Sequence, residues 1–136
     1  MLPILAAEPR VAAAWLFGSA AREALRADSD VDVAVLLDRN LDDSERTGLL
    51  AELASRLEAA TQPRPLDLIV LEQQGWVFIH RVLSEGRRIV VHDEERRVDF
   101  ESDAFVRYLD WKPTWDLAAN EQIAGMRRWL KDYIAR

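Results

Sequence analysis

Two aspartates one residue apart, Asp30 and Asp32, follow a Gly18-Ser19 pair with ten residues between. Carboxylates two apart in an extended segment project from one face, while Val31, Val33 and Val35 project from the other. Partly buried, such a pair repels itself unless a divalent cation supplies the missing positive charge. Magnesium takes oxygen ligands and is commonly held by one or two carboxylates together with substrate phosphates. Upstream, Gly18 lets a phosphate approach the backbone, and Ser19 offers a hydroxyl and an amide. A helix starting beyond them would aim its N-terminal amides at the anion. The chemistry implied is metal-assisted handling of a triphosphate.

With two ions about 3.5–4 Å apart, one activates the attacking hydroxyl and the other stabilises the leaving pyrophosphate. A third carboxylate is commonly needed to complete the first ion's shell. Asp67 is the candidate, because it interrupts the apolar run Leu66, Leu68, Ile69, Val70, which gives no structural reason for a charge. Blander readings stand beside these. Gly18-Ser19 alone is a common turn pair, and Asp67 after Pro65 also reads as a solvated strand end. The whole pattern at fixed spacing arises by chance in only about one chain in a thousand at ordinary residue frequencies, which favours function for the set over its members.

The elements that must position these residues follow from local pattern. Ala13 to Phe17 is a short apolar strand stopped by Gly18, Ala20 to Ala27 is rich in helix formers, and Asp28-Ser29 closes that helix. Val31 to Leu37 is β-branched at alternate positions and reads as a buried strand. Asp42 with Glu45 three residues on signals a helix start, and Leu49, Leu50, Leu53 and Leu57 continue it to about Ala60. After Pro63 and Pro65 comes the strand Leu66 to Leu71, then a helix from about Gln73 to Ser84, a Glu85-Gly86 turn and a strand Arg87 to Val91. From Asp93 the pattern is helical, with a break expected near Lys112-Pro113. A last helix follows Thr114, striped by Trp115, Ala119, Ile123, Met126, Leu130 and Tyr133. The fold class expected is α/β (α+β): a small mixed sheet of about four strands flanked by helices, with a helical C-terminal segment.

The 136 residues carry a net charge of −6 and no cysteine, with 49% hydrophobic residues. That length fits a single domain, 1–136, with a real core. Thiolate metal sites and disulfides are excluded, and a cytoplasmic location is the expectation in the absence of a leader or a long apolar run. The acidic balance disfavours binding nucleic acid by phosphate neutralisation and suits a basic protein partner. His80 and His92 have no partner at metal spacing and read as ordinary histidines. The five tryptophans read mainly as core, with Trp111 and Trp115 as possible interface anchors.

The set G-S-x10-D-x-D with a distal aspartate resembles the signature of the DNA polymerase β-like nucleotidyltransferase superfamily. Leu16-Phe17-Gly18-Ser19-Ala20-Ala21-Arg22 with Ser29-Asp30-Val31-Asp32 is similar to the minimal nucleotidyltransferase (MNT) antitoxins of HEPN/MNT modules, and the resemblance extends through Ser84 to Val91. It implies a nucleotidyltransferase fold with Asp30, Asp32 and Asp67 as catalytic metal ligands for two Mg2+ ions. It also implies ATP as donor, with Gly18, Ser19, Arg22 and Ser29 on the nucleotide side. Arg22 matches a basic position that in the family contacts phosphate or orders the loop; as a residue by itself it equally reads as a surface helix side chain. Glu23 departs from the pattern, where a glycine is common. The function implied is that of a type VII antitoxin, moving AMP from ATP onto a tyrosine of a cognate HEPN ribonuclease toxin. Transfer to a small-molecule hydroxyl, or neutralisation by binding alone, are the alternatives.

Overall fold

A computed structural model describes residues 1–18, 30–116, 128–129 and 132–133. The expected helix Ala20 to Ala27 lies outside them, as do most of the stripe from Trp115 to Leu130 and the side chains of Trp111 and Trp115. The elements are α1 (Leu2–Ala6), β1 (Val11–Phe17), β2 (Val31–Leu37), α2 (Asp43–Thr61), β3 (Leu66–Val70), α3 (Trp76–Glu85), β4 (Arg87–Val91) and α4 (Glu94–Asp116), with one 3-10 turn, Leu71–Gln73, before α3. The strands form one sheet in the order β3-β2-β1-β4. β1 pairs antiparallel with β2 and with β4, and β2 pairs parallel with β3. The expected mixed sheet of four strands is therefore present.

Alternation along the strands sorts the core into two layers. Val31, Val33, Val35 and Leu37 face Leu49, Leu53 and Leu57 of α2 together with Leu5 of α1. Ala34, Leu36, Ala13 and Trp15 face Ile79, Val82 and Leu83 of α3 with Phe100 and Ala104 of α4. All seven β2 residues except Asp32 are buried, which is why the strand reads as an apolar run rather than an alternating one. Asp32 shares the parity of Ala34 and Leu36 and so belongs to the α3/α4 face. Its charge is tolerated because it lies one residue from the strand's end.

The α2 start is a complete capping box: Asp42 Oδ1 accepts from the Glu45 amide at 2.7 Å and Glu45 Oε1 from the Asp42 amide at 3.3 Å. This satisfies two of the orphan amides of the first turn and fixes where the helix leaves the loop after β2. At the other end of the crossover the Val31 amide donates to Pro65 O at 2.8 Å, so the proline-bracketed loop delivers β3 in register beside β2. Gly86, where the chain reverses from α3 into β4, is packed so closely that a Cβ there would collide with Val82 O.

β2 spans Val31–Leu37 as expected, so Asp30 stands just before the strand. Two differences from local pattern have physical causes. α1 precedes β1 and is held by tertiary packing, with Leu5 wholly buried and His92 Nε2 3.0 Å from Leu5 O. Five residues are too few to signal a helix by periodicity. And α4 runs unbroken through Lys112-Pro113 to Asp116, correcting the expected break. A proline deletes one amide donor and crowds one carbonyl, but the preceding turns are already packed, with Phe100, Ala104 and Tyr108 buried. Trp15 is a core residue, as expected, and Trp76 packs half-buried against the same layer. His80 stacks on Tyr108, ring centroids 3.8 Å apart.

Candidate active site

The candidate residues meet at one end of the sheet. Antiparallel pairing sets Phe17, the last residue of β1, opposite Asp32, and parallel pairing sets Asp67 beside Asp32 on the other flank. Phe17, Asp32 and Asp67 thus form one row across three strands, on the face that carries Trp15, Ala34 and Ile69. Neighbouring strands lie about 4.8 Å apart, so the two carboxylates of this row are immediate neighbours. Asp30, exposed and one residue ahead of β2, adds a third negative charge.

Gly18 closes the row from above. Its φ is +65°, and a Cβ built there would stand 2.5 Å from Asp32 Oδ2. A side chain is therefore excluded twice, by backbone conformation and by the carboxylate it would strike. The absence of a side chain is what lets the Asp32 carboxylate lie against this turn.

Electrostatics set this end apart. Burial pushes the Asp32 carboxyl above its ordinary value, and the charges of Asp67 and Asp30 push it the same way. No cation offsets them among the described residues. Asp32 is half-buried and Asp30 and Asp67 are exposed, so the three carboxylates make an accessible acidic end of the sheet that attracts positive charge. Among the described residues no three His, Asp or Glu side chains already stand as a ready metal cage. The donor chemistry nevertheless fits a hard divalent cation, since Asp32 and Asp67 are adjacent oxygen donors with no cation partner among the described residues, and magnesium usually completes its shell with water and phosphate.

Of the residues expected at the site, Gly18, Asp30, Asp32 and Asp67 are brought together. Ser19, Arg22 and Ser29 lie outside the described residues. Sequence reasoning missed Phe17 and Phe78. These rings meet edge to face with centroids 5.6 Å apart, both half-buried against the α3/α4 layer. Strand register, which local pattern does not carry, is what sets Phe17 opposite Asp32. Nothing local pointed to Phe78.

A four-stranded mixed sheet with two adjacent aspartates under a left-handed glycine is the arrangement expected of a nucleotidyltransferase. The comparison with protein families agrees: residues 1–95 match the polymerase beta nucleotidyltransferase family, and the chain belongs to it. Among curated proteins it is similar to protein adenylyltransferase MntA of Shewanella oneidensis, 31% identical over 81 residues, which cover 60% of this chain and 55% of that protein. The match thus spans about half the length of that relative. Among solved structures, a chain of a toxin–antitoxin complex with AMP-PNP aligns with a TM-score of 0.57 at 22% identity, covering 90% of this chain and 93% of that one. A chain of the complex of tri-AMPylated Shewanella oneidensis HEPN toxin with MNT antitoxin aligns with a TM-score of 0.52 at 23% identity over 86% of each. At these identities the structures establish a shared fold.

Proposed function

We propose that this chain is an antitoxin that transfers AMP from ATP to a tyrosine hydroxyl of a cognate HEPN toxin, and that Asp30, Asp32 and Asp67 carry the reaction with two magnesium ions. The observation that carries the reading is the pair Asp32 and Asp67, in register on adjacent strands beneath Gly18 and without a cation partner among the described residues. Family membership supplies nucleotidyl transfer, and the similarity to an adenylyltransferase supplies AMP and a protein acceptor by analogy.

In the transfer, the acceptor oxygen forms a bond to the α-phosphorus while the bond from that phosphorus to the pyrophosphate oxygen breaks. Pyrophosphate leaves with the bonding pair, and the acceptor's proton passes to the exposed Asp67 carboxylate and then to water. Bound magnesium supplies charge neutralisation for the triphosphate and polarises the acceptor oxygen. The carboxylates would hold the metal, and Gly18, having no side chain, lets the Asp32 carboxylate lie against the turn. Ser19, Arg22 and Ser29 are assigned to the triphosphate side of the site. No helix among the described residues is long and apolar enough to cross a membrane, in keeping with action in the cytoplasm, and the residues 1–136 are read as one domain.

The test is incubation of the chain with labelled ATP, magnesium and the co-expressed helical partner. Label is expected on a partner tyrosine, and it should vanish with EDTA and in the Asp30→Asn/Asp32→Asn double variant while that variant keeps its circular dichroism spectrum. Undiminished labelling by the variant would overturn the metal assignment. Labelling of a small alcohol in the absence of any protein partner would transfer the reading to the small-molecule class.

A further inference from the structure

The catalytic row ends in an aromatic ring rather than another polar group. Phe17 is the direct cross-strand neighbour of Asp32 on the same face, and cross-strand neighbours hold their Cβ atoms about 4.5–5.5 Å apart. Phe78 of α3 meets Phe17 edge to face. Neither ring is sealed in the core. Trp15, two residues before Phe17 on the same face, is 1% exposed and Ile79, the neighbour of Phe78, is wholly buried, whereas Phe17 and Phe78 remain half-buried at the rim. Burial therefore stops where the carboxylates begin, and it leaves two aromatic surfaces turned partly to solvent beside the reacting groups.

For a transfer reaction this placement has a chemical meaning. The acceptor hydroxyl must reach the α-phosphorus beside Asp32, so the atoms bonded to that hydroxyl must lie next to whatever flanks Asp32. Asp67 flanks it on one side, and Asp30 stands two residues ahead of it in the chain. Phe17 flanks it on the other. An aliphatic alcohol gains little from a ring. A phenol brings its own ring, which packs offset or edge to face against Phe17 and Phe78, and such pairs contribute beyond their buried area. A phenol ring lying on Phe17 carries its hydroxyl toward the Asp32 side of the row.

We infer that Phe17 and Phe78 form a shelf that holds the aromatic ring of the acceptor tyrosine beside Asp32 and so make the site selective for a phenol over an aliphatic hydroxyl. The inference rests on the adenylyl-transfer reading above and assigns to that reaction two acceptor-positioning residues. The competing occupant is the adenine of the donor, which is also a flat ring, and the experiment separates the two.

Wild-type chain is first assayed with its partner and labelled ATP. Absence of any transfer there would count against the adenylyl-transfer reading, and the shelf would fall with it. Given wild-type transfer, Phe78→Leu and, separately, Phe17→Leu are assayed for KM toward the partner, kcat, and affinity for AMP-PNP with magnesium. Phe78→Leu is the cleaner variant because it is remote from the Gly18 turn. Each is expected to raise the acceptor KM about 3- to 10-fold, the scale of a lost aromatic pair, with AMP-PNP affinity within about twofold. Phe78→Tyr, which keeps the ring, should restore the wild-type KM. A partner whose acceptor tyrosine is changed to serine should be modified poorly by wild type, and Phe78→Leu should narrow the gap. A fall in AMP-PNP affinity with an unchanged acceptor KM would overturn the inference in favour of a nucleobase shelf. Unchanged values of both, in variants that melt like wild type, would overturn it in favour of plain packing.

Discussion

The two ends of strand β2 treat negative charge in opposite ways. At the Leu37 end the carboxylate of Glu72 accepts from the Leu37 amide at 3.2 Å, from Arg96 at 3.0 Å and from Arg46 at 3.5 Å. Arg96 in turn donates to Leu37 O at 3.2 Å. Close by, where β1 begins, Glu8 accepts from the Arg10 amide and guanidinium at 3.1, 2.8 and 2.9 Å. At the Asp32 end, some 17 Å along the strand at about 3.4 Å per residue, three carboxylates gather with no cation among the described residues. A carboxylate that serves the fold is neutralised by it. One that serves a ligand is left for the ligand to neutralise, and the fold bears the cost.

The largest effect expected from disturbing this contrast is on transfer. Asp67→Asn should lower kcat for AMP transfer by at least about 100-fold, the scale of losing a group that acts in the transition state. Single-turnover labelling would measure it, and activity within a few-fold of wild type would remove Asp67 from the site.

Next in size is the opposite end. Glu72→Ala leaves Arg46 and Arg96 without their shared acceptor and should destabilise the chain by about 2–4 kcal/mol, the range for breaking a mostly buried ion pair. Urea titration reads this directly. A change under about 0.5 kcal/mol, typical of surface pairs, would mean that the cluster contributes no more than exposed charges do.

At the catalytic end a charge-removing substitution should act with the reverse sign. The folded state raises the Asp32 carboxyl above its unfolded value. Its contribution therefore favours folding below the unfolded value and is lost as pH rises through the folded one. At neutral pH the ionised group opposes folding, so Asp32→Asn should raise Tm by about 2–5 °C in magnesium-free buffer while abolishing transfer. A lower Tm at pH 7 would show that Asp32 has a structural partner after all.

The smallest effect concerns Glu8. Its hydrogen bond to Arg10 holds its carboxyl below the ordinary 4.5, so the stabilisation is present above that value and is lost as pH falls through the lowered one. Glu8→Gln should cost about 0.5–1 kcal/mol at pH 7, the scale of a charge-assisted bond with an exposed partner. The deficit should shrink as pH falls through the lowered value. Denaturation across a series of acidic pH values checks this, and a constant deficit would assign the loss to packing.

How much was legible beforehand depends on the range of the interaction. The capping box of Asp42 and Glu45, the β-branched run of β2 and the glycine after β1 are each written within a few residues, and each element lies where the sequence places it. The spacing of Gly18, Asp30 and Asp32 is equally local, and the family match agrees with the chemistry that spacing implies. Asp67 reads in the sequence only as an unexplained charge; the structure leaves it exposed and sets it beside Asp32, on a strand 35 residues earlier in the chain. The helical run through Pro113 defied a local rule because packing of the earlier turns outweighed it.

By itself, then, the sequence determined the kinds of element, the aspartate spacing and the family. The tertiary structure alone decided that Asp32 and Asp67 share a row, that Gly18 comes within a side chain's width of the Asp32 oxygen, and that Phe17 and Phe78 flank that row. It also decided that the carboxylates Glu72 and Glu8 would be held by arginines, whereas Asp30, Asp32 and Asp67 have no cation partner among the described residues. The physical reason is that burial, register and charge pairing between elements are set by which faces the sheet and helices bring together, and no window of neighbouring residues contains that information.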